Sequence, residues 1–127
     1  MDVRSFLEEL PFVALLGITF PVVEEGHAEG ALAMRPELSW TTETLRAHAG
    51  VTFTLAEATG AAAVVATNDP PVYTIDMRID YLDAPHGNLR AQADILRDGD
   101  DVGVVDVTVR DDRDESVAAA RAAYKLR

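Results

Sequence analysis

Glu57 is the residue of this chain with the clearest capacity for chemistry. It lies nine residues after His48, and between Ala47 and Ala66 these two are the only side chains that ionise; the rest of the run is Ala, Gly, Val, Leu, Thr and Phe. A carboxylate on a helix face that otherwise reads as core is either costly or useful, because burial without a partner penalises its charged form and perturbs its acidity. Plainer readings compete with this one. Glu57 as a partly exposed helix carboxylate would pair with an Arg, and His48 would be a capping or interface imidazole.

Other residue groupings point to less. His27, His48 and His86 have no fixed short spacing to one another or to acids, so a metal site is not expected. His27 and His86 fall in expected turns and read as surface residues. Asp98, Asp100 and Asp101 share a turn but lack the spacing and terminal Glu of a calcium loop, so they read as solvated acids. Ser5, Ser39 and Ser116 lie in no nucleophile-elbow sequence. Cysteine is absent, which excludes disulfides, thiolate zinc sites and thiol nucleophiles and fits a reducing compartment.

The elements that must carry Glu57 follow from periodicity. Residues 44–66 read as a helix apolar over most of its circumference, from Leu45 and Ala49 through Phe53, Leu55 and Ala62 to Val65, and such a helix must be wrapped. Thr41 or Thr42 is its expected cap. Gly50 and Gly60 each cost up to about 1 kcal/mol of helix propensity relative to Ala, a pattern that points to close approach of a neighbouring backbone, in a sheet or a second subunit.

Ahead of it, residues 3–10 form a short helix that ends at Pro11 and docks through Val3, Phe6, Leu7 and Leu10. Residues 18–23 and 28–34 read as strands around a Glu24-Glu25-Gly26 turn, followed by a loop at 35–42. After a break at 68–71, Tyr73, Ile75, Met77, Ile79 and Tyr81 alternate with Thr74, Asp76, Arg78 and Asp80 in a half-buried strand. Alternating strands at 89–95 and 105–110 follow, with turns at 83–87, 97–101 and 111–115. In 116–126 an Ala-rich helix propensity competes with hairpin spacing, and a fourth strand is expected. The result is one α+β domain over residues 1–127, a curved antiparallel sheet of five or six strands around one long central helix.

Composition narrows the partners. The 127 residues carry 22 Asp and Glu against 11 Lys and Arg, a net charge of −11, and Lys125 is the one Lys. Such a surface repels nucleic acid and anionic membrane. A dense acidic coat nearly free of Lys resembles the solvation of proteins from salt-rich cytoplasm, where salt screens the self-repulsion. An acidic N-terminus does not read as a secretory signal and no apolar run is expected to reach membrane-spanning length, so the expected location is cytoplasmic.

His48-Ala49-Gly50, with Glu57 nine residues after the His and Gly60 beyond, resembles the hotdog-fold thioesterases of the phenylacetate-pathway and 4-hydroxybenzoyl-CoA type. Those enzymes carry a His-Gly-Gly turn leading into the central helix, an acid nine residues after the His, and a Gly shortly beyond. The similarity extends to Asp80-Tyr81-Leu82-Asp83-Ala84-Pro85-His86-Gly87, against the family's Asn-Tyr-Leu-Arg-Pro strand exit, and to Ala123-Tyr124-Lys125-Leu126. It covers residues 11–126, and order and spacing together carry it.

The resemblance implies the hotdog fold and hydrolysis of an acyl thioester of coenzyme A or pantetheine, with no metal or redox cofactor; coenzyme A enters as part of the substrate. It implies Glu57 as nucleophile or as general base activating water, backbone N–H groups of Ala49 or Gly50 as oxyanion donors, and His48 orienting substrate or shaping the anion site. Trp40, just ahead of the helix, would line an acyl pocket or serve packing. Nine residues span about 13 Å along a helix and half a revolution around it, so His48 and Glu57 of one chain do not meet at one carbonyl. Two chains with antiparallel central helices would share sites as a homodimer, and a tetramer of two such dimers is open.

The chain also departs from the family pattern. Thr42 stands where some members have a carbonyl-contacting Asn or Gln six residues before the His, and Ala49 replaces the first Gly after it. Asp83 stands in place of the Arg before the strand-exit Pro, and Asp100-Asp101 replaces a Gly-Arg turn. Arg97, with the amides around Gly99, is then the local candidate for coenzyme A phosphates. These departures favour the alternative, a non-catalytic hotdog module that binds acyl-CoA or serves as an assembly subunit. A hydratase is a third reading, from hotdogs with a different His and acid arrangement.

Overall fold

Apolar residues on every side of one helix demand a wrapper, and the chain supplies it from strands before and after that helix. In the computed structural model, which describes residues 2–68 and 72–126, the elements are α1 (Val3–Glu8), α2 (Pro11–Leu16), β1 (Thr19–Glu24), β2 (His27–Leu32), a 3-10 turn (Pro36–Leu38), α3 (Ala49–Thr67), β3 (Tyr73–Tyr81), β4 (Leu89–Asp98), β5 (Val102–Arg110) and β6 (Ser116–Lys125). All strand pairs are antiparallel, in the order β1-β2-β4-β5-β6-β3, and α3 contacts every strand.

The sheet presents small residues to the helix. Ala91 and Ala93 of β4 and Ala118, Ala120 and Ala122 of β6 are buried in one core with Leu55, Ala56, Ala62, Ala63 and Val64 of α3. Gly30 of β2 marks the limit of this approach, since a methyl group there would collide with the Thr59 hydroxyl of α3. By length and composition α3 could cross a membrane, contrary to the reading that no run reaches that length; most of it is buried inside the sheet.

Three further expectations are corrected. Pro11 ends α1 but also begins α2, because its fixed φ and missing N–H suit the first helical position. Leu10, expected to dock, becomes the N-cap of α2 and is 38 % exposed, while Leu7 is buried and Val3 and Phe6 pack against the core. The expected meander holds for β4, β5 and β6, whereas β3 pairs with β6 and not with β4, both of whose edges are taken by β2 and β5. Residues 116–126 do form a strand over Ser116–Lys125, where the two flanking ladders outweigh local helix propensity. Residues 69–71 of the expected break lie outside the described residues.

Candidate active site

The central helix begins at Ala49, five residues later than its apolar pattern suggested, and its cap is His48 in place of Thr41 or Thr42. The preceding segment is committed elsewhere. Trp40 N–H donates to Arg46 O at 3.0 Å, Arg46 N–H to Ser39 Oγ at 3.0 Å, and Gly87 N–H to Leu45 O at 2.9 Å, so residues 39–47 close into a loop. Thr42 is exposed on that loop.

His48 shapes the helix start directly. Its Nδ1 accepts from Gly50 N–H at 2.9 Å, and its carbonyl accepts from Val51 and Thr52 N–H at 2.9 and 3.2 Å. An imidazole that accepts at Nδ1 carries its proton on Nε2 when neutral. Gly50 N–H, one of the two expected oxyanion donors, is therefore occupied. Among the described residues, Ala49 is the amide of the first turn left without a partner, and it sits at the positive end of a 19-residue helix.

Two cavities flank this point. A groove of about 480 Å³ is walled by Phe12 and Leu16 of α2, Leu38, and His48, Val51 and Phe53. On the other side a cavity of about 190 Å³ is lined by Trp40, Ala49, Thr52, Tyr81, Pro85 and Val117. Tyr81 closes the second by donating its hydroxyl to Ala49 O at 2.9 Å. Trp40 thus lines a cavity beside the helix start while remaining 60 % exposed.

Glu57 is half-buried on α3, and its Oε2 accepts from the Thr74 hydroxyl of β3 at 3.3 Å. Burial lifts its pKa above the usual carboxylate range, and the Thr74 hydrogen bond partly offsets this. The Arg partner of the plainer reading is not found among the described residues. The buried Tyr124 of β6 donates to the main-chain carbonyl of Glu57 at 2.8 Å; burial and then the Glu57 charge hold its phenol well above the ordinary tyrosine range.

Thr74 and Tyr81 are the residues that sequence reasoning missed. Strict alternation put Thr74 on the face of Asp76, Arg78 and Asp80, but a bulge between Thr74 and Asp76 shifts the register. Thr74 pairs with buried Tyr124 and Met77 with buried Ala122, so Thr74 shares the helix-facing side with Met77, Ile79 and Tyr81, and Ile75 is the extra residue. Tyr81 had a signal, since it stands in the strand-exit motif.

Other expected residues fall elsewhere. Arg97 and Asp98, expected in a turn, end β4 opposite Val104 and Gly103 of β5, and Gly99 lies in the β4–β5 turn that follows; the Asp98 carboxylate accepts from the Asn68 side chain at 3.0 Å, beyond the C-terminal end of α3. A 19-residue helix is roughly 28 Å long, which separates that turn from Ala49 within one chain. Gly99 N–H is also engaged, donating to Val102 O at 3.1 Å. His27 and His86 are more than surface turn residues. His27 opens β2 between Asp94 and Glu29, at 2.7 and 3.0 Å, and its hydrogen bonds to Glu29 and Asp94 raise its pKa. His86 lies 3.5 Å from the buried Asp111, whose burial opposes ionisation but whose bonds from Glu115, His86 and Arg113 N–H hold its carboxyl below the usual range.

Comparison with known proteins places this geometry. The chain is 24 % identical to the Halobacterium salinarum protein named "Putative esterase VNG_1336C", over 98 % of this chain and 89 % of that one. A crystal structure from the thioesterase superfamily superposes with a TM-score of 0.91 at 29 % identity, covering 98 % of this chain and 96 % of the other. The E. coli PaaI protein of the phenylacetic acid degradation operon superposes with a TM-score of 0.88 at 21 % identity, covering 99 % and 91 %, and shares the fold. The fold is therefore the hotdog fold, and the chain is thioesterase-like in architecture. Residues 3–126 match the family described as "Domain of unknown function (DUF4442)", and the chain belongs to that family.

Proposed function

We propose that this protein hydrolyses an acyl thioester, with Glu57 as general base and the Ala49 N–H as oxyanion donor, in a homodimer whose sites combine Glu57 of one chain with the start of α3 of the other. The observation that carries this reading is Glu57 itself, a half-buried carboxylate with a raised pKa, held by a hydroxyl and, among the described residues, by no cation, on the core helix beside an edge strand. A base with its pKa lifted toward neutrality takes a proton more readily from water. The water oxygen then bonds to the thioester carbonyl carbon, and the carbonyl oxygen gains charge at Ala49 N–H and the helix N-terminus. Collapse breaks the carbon–sulfur bond, and the thiolate leaves with the proton returned by Glu57. His48 walls the larger groove and orients the substrate. Coenzyme A takes part as the leaving half of the substrate, and no other cofactor enters the scheme.

Sharing follows from distance. Eight residues from Ala49 to Glu57 are about 12 Å of helix rise, too far for one carbonyl to meet both. β3 offers a sheet edge with Tyr73, Ile75 and Tyr81 exposed, through which a second copy would continue the sheet. Antiparallel packing of that kind would also carry the end of β4 of one chain, with Arg97, toward the other chain's helix start, where a guanidinium suits phosphate.

One observation favours a non-catalytic acyl-CoA-binding module. His48 occupies Gly50 N–H, which leaves a single free amide where two donors were expected. Thiol release from short-chain, medium-chain, long-chain and aromatic acyl-CoAs, in low and high salt, separates the readings. We expect turnover with at least one class, reduced in Glu57→Ala by on the order of 10²- to 10⁴-fold. Turnover in Glu57→Ala as fast as the parent's sinks the role of Glu57, and no turnover with any substrate in either salt leaves the binding module.

A further inference from the structure

Tyr124 brings two costly features of the core together at one turn of α3. Its ring is 1 % exposed and its hydroxyl donates to the carbonyl of Glu57 at 2.8 Å. That carbonyl lies in mid-helix, where an amide four residues on already serves it. The helix therefore does not need the phenol, and a buried hydroxyl is unfavourable unless bonded. Room for the hydroxyl is made by Gly60, one turn beyond Glu57, where an added methyl group would lie 2.5 Å from the Tyr124 oxygen. A Phe at 124 would need neither the hydrogen-bond partner nor the glycine, and Gly is a poor residue for a helix interior.

We propose that Tyr124 is a positioning residue for Glu57: its hydroxyl fixes the helix turn from which the carboxylate projects, and Gly60 is present to admit it. The proposal rests on the reading of Glu57 as the base. Tyr124 holds the main chain of Glu57 from β6 while Thr74 holds its carboxylate from β3, so the residue is tied to two different strands. Groups locked in this way keep their reach toward a substrate fixed. Beside burial, the Thr74 hydroxyl is the described group that shifts the pKa of Glu57, and the Glu57 charge in turn raises that of the Tyr124 phenol.

Three variants test it: Tyr124→Phe, Gly60→Ala and the two combined. Gly60→Ala alone meets the hydroxyl and lowers the thermal midpoint. With Phe at 124 the nearest remaining ring atom is 3.4 Å from the new methyl, so the double variant recovers the midpoint lost in Gly60→Ala. Tyr124→Phe and the double variant are expected to lose about tenfold in kcat with KM changed by less than about twofold. Loosening the turn weakens the Thr74 hydrogen bond that favours the Glu57 carboxylate, so its ionisation becomes harder and the acidic limb of the rate profile moves to higher pH. The carboxyl ¹³C titration of Glu57 reads the same shift without turnover. A double variant with parental kcat and an unmoved Glu57 titration overturns the proposal and leaves the role of Glu57 intact. If the parent hydrolyses no thioester, the functional reading falls, and the titration alone decides for or against Tyr124.

Discussion

The two edges of the sheet are built differently. At β1 the helix α1 lies across the edge: Glu8 Oε2 accepts from Phe20 N–H at 2.8 Å, Arg4 donates to Pro21 O at 3.2 Å, and Pro21 has no N–H to offer. At β3 no described element covers the edge, and Tyr73, Ile75 and Tyr81 are each about half exposed or more. Open strand edges invite pairing, and chains blunt the edges that are to stay single. The candidate site follows the same division. Thr74 and Tyr81, which touch Glu57 and Ala49, both belong to β3, and β1 carries none of it. Under the proposed function, this open edge is the one through which a second copy would complete the site.

The largest expected effect comes from closing the open edge. Ile75 is the bulged residue of β3 and is 56 % exposed, so Ile75→Asp leaves the monomer core untouched while placing a charge on the apolar edge that two copies would share. Light scattering should show monomers in place of dimers, with thioester turnover lost in step; a dimeric, active Ile75→Asp would break the comparison. The reverse experiment opens the closed edge. Glu8→Ala strips the buried Phe20 N–H of its acceptor and is expected to cost about 1–3 kcal/mol, read by urea denaturation, with concentration-dependent association through β1. Glu8→Gln keeps an acceptor and should retain most of that stability.

The smallest effect is a pH dependence next to the closed edge, where His27 pairs with Glu24 of β1. Glu29 and Asp94 raise the pKa of His27 in the folded chain above its unfolded value. The stabilisation is therefore fully present below the unfolded value of about 6.5 and is lost as pH rises through the higher folded one. Denaturation midpoints of the parent and His27→Gln should diverge at mildly acidic pH and converge at alkaline pH. Asp94 is largely exposed, so added salt should shrink the difference. Equal midpoints across the range would remove His27 from the account.

How far the chain could be read in advance depended on the range of the interactions involved. The wrapped helix, the strand over Ser116–Lys125 and the isolation of Glu57 were legible because apolar periodicity and hairpin spacing are properties of neighbouring residues. The start of α3 was not, because apolar residues continue back through Leu45, and it is Gly87, reaching in from between β3 and β4, together with Ser39 bonding across to Arg46, that holds residues 39–47 as a loop. A period of two has no means of announcing a bulge, so Thr74 was assigned to the wrong face. Gly60 was legible as a point of close approach, but the neighbour is a side chain, Tyr124, and not a backbone.

By itself, then, the sequence determined a single curved sheet around a buried helix, with one carboxylate marooned on it, because burial pattern and charge are written residue by residue. Tertiary structure alone decided that His48 caps the helix and occupies Gly50 N–H, that Thr74 and Tyr124 hold Glu57 from two strands, and that the β4–β5 turn beside Arg97 lies at the far end of α3. The physical reason is that hydrogen bonds and dipoles act over a few ångströms. Which groups come within that range depends on how residues far apart in sequence are packed, and no local pattern records it.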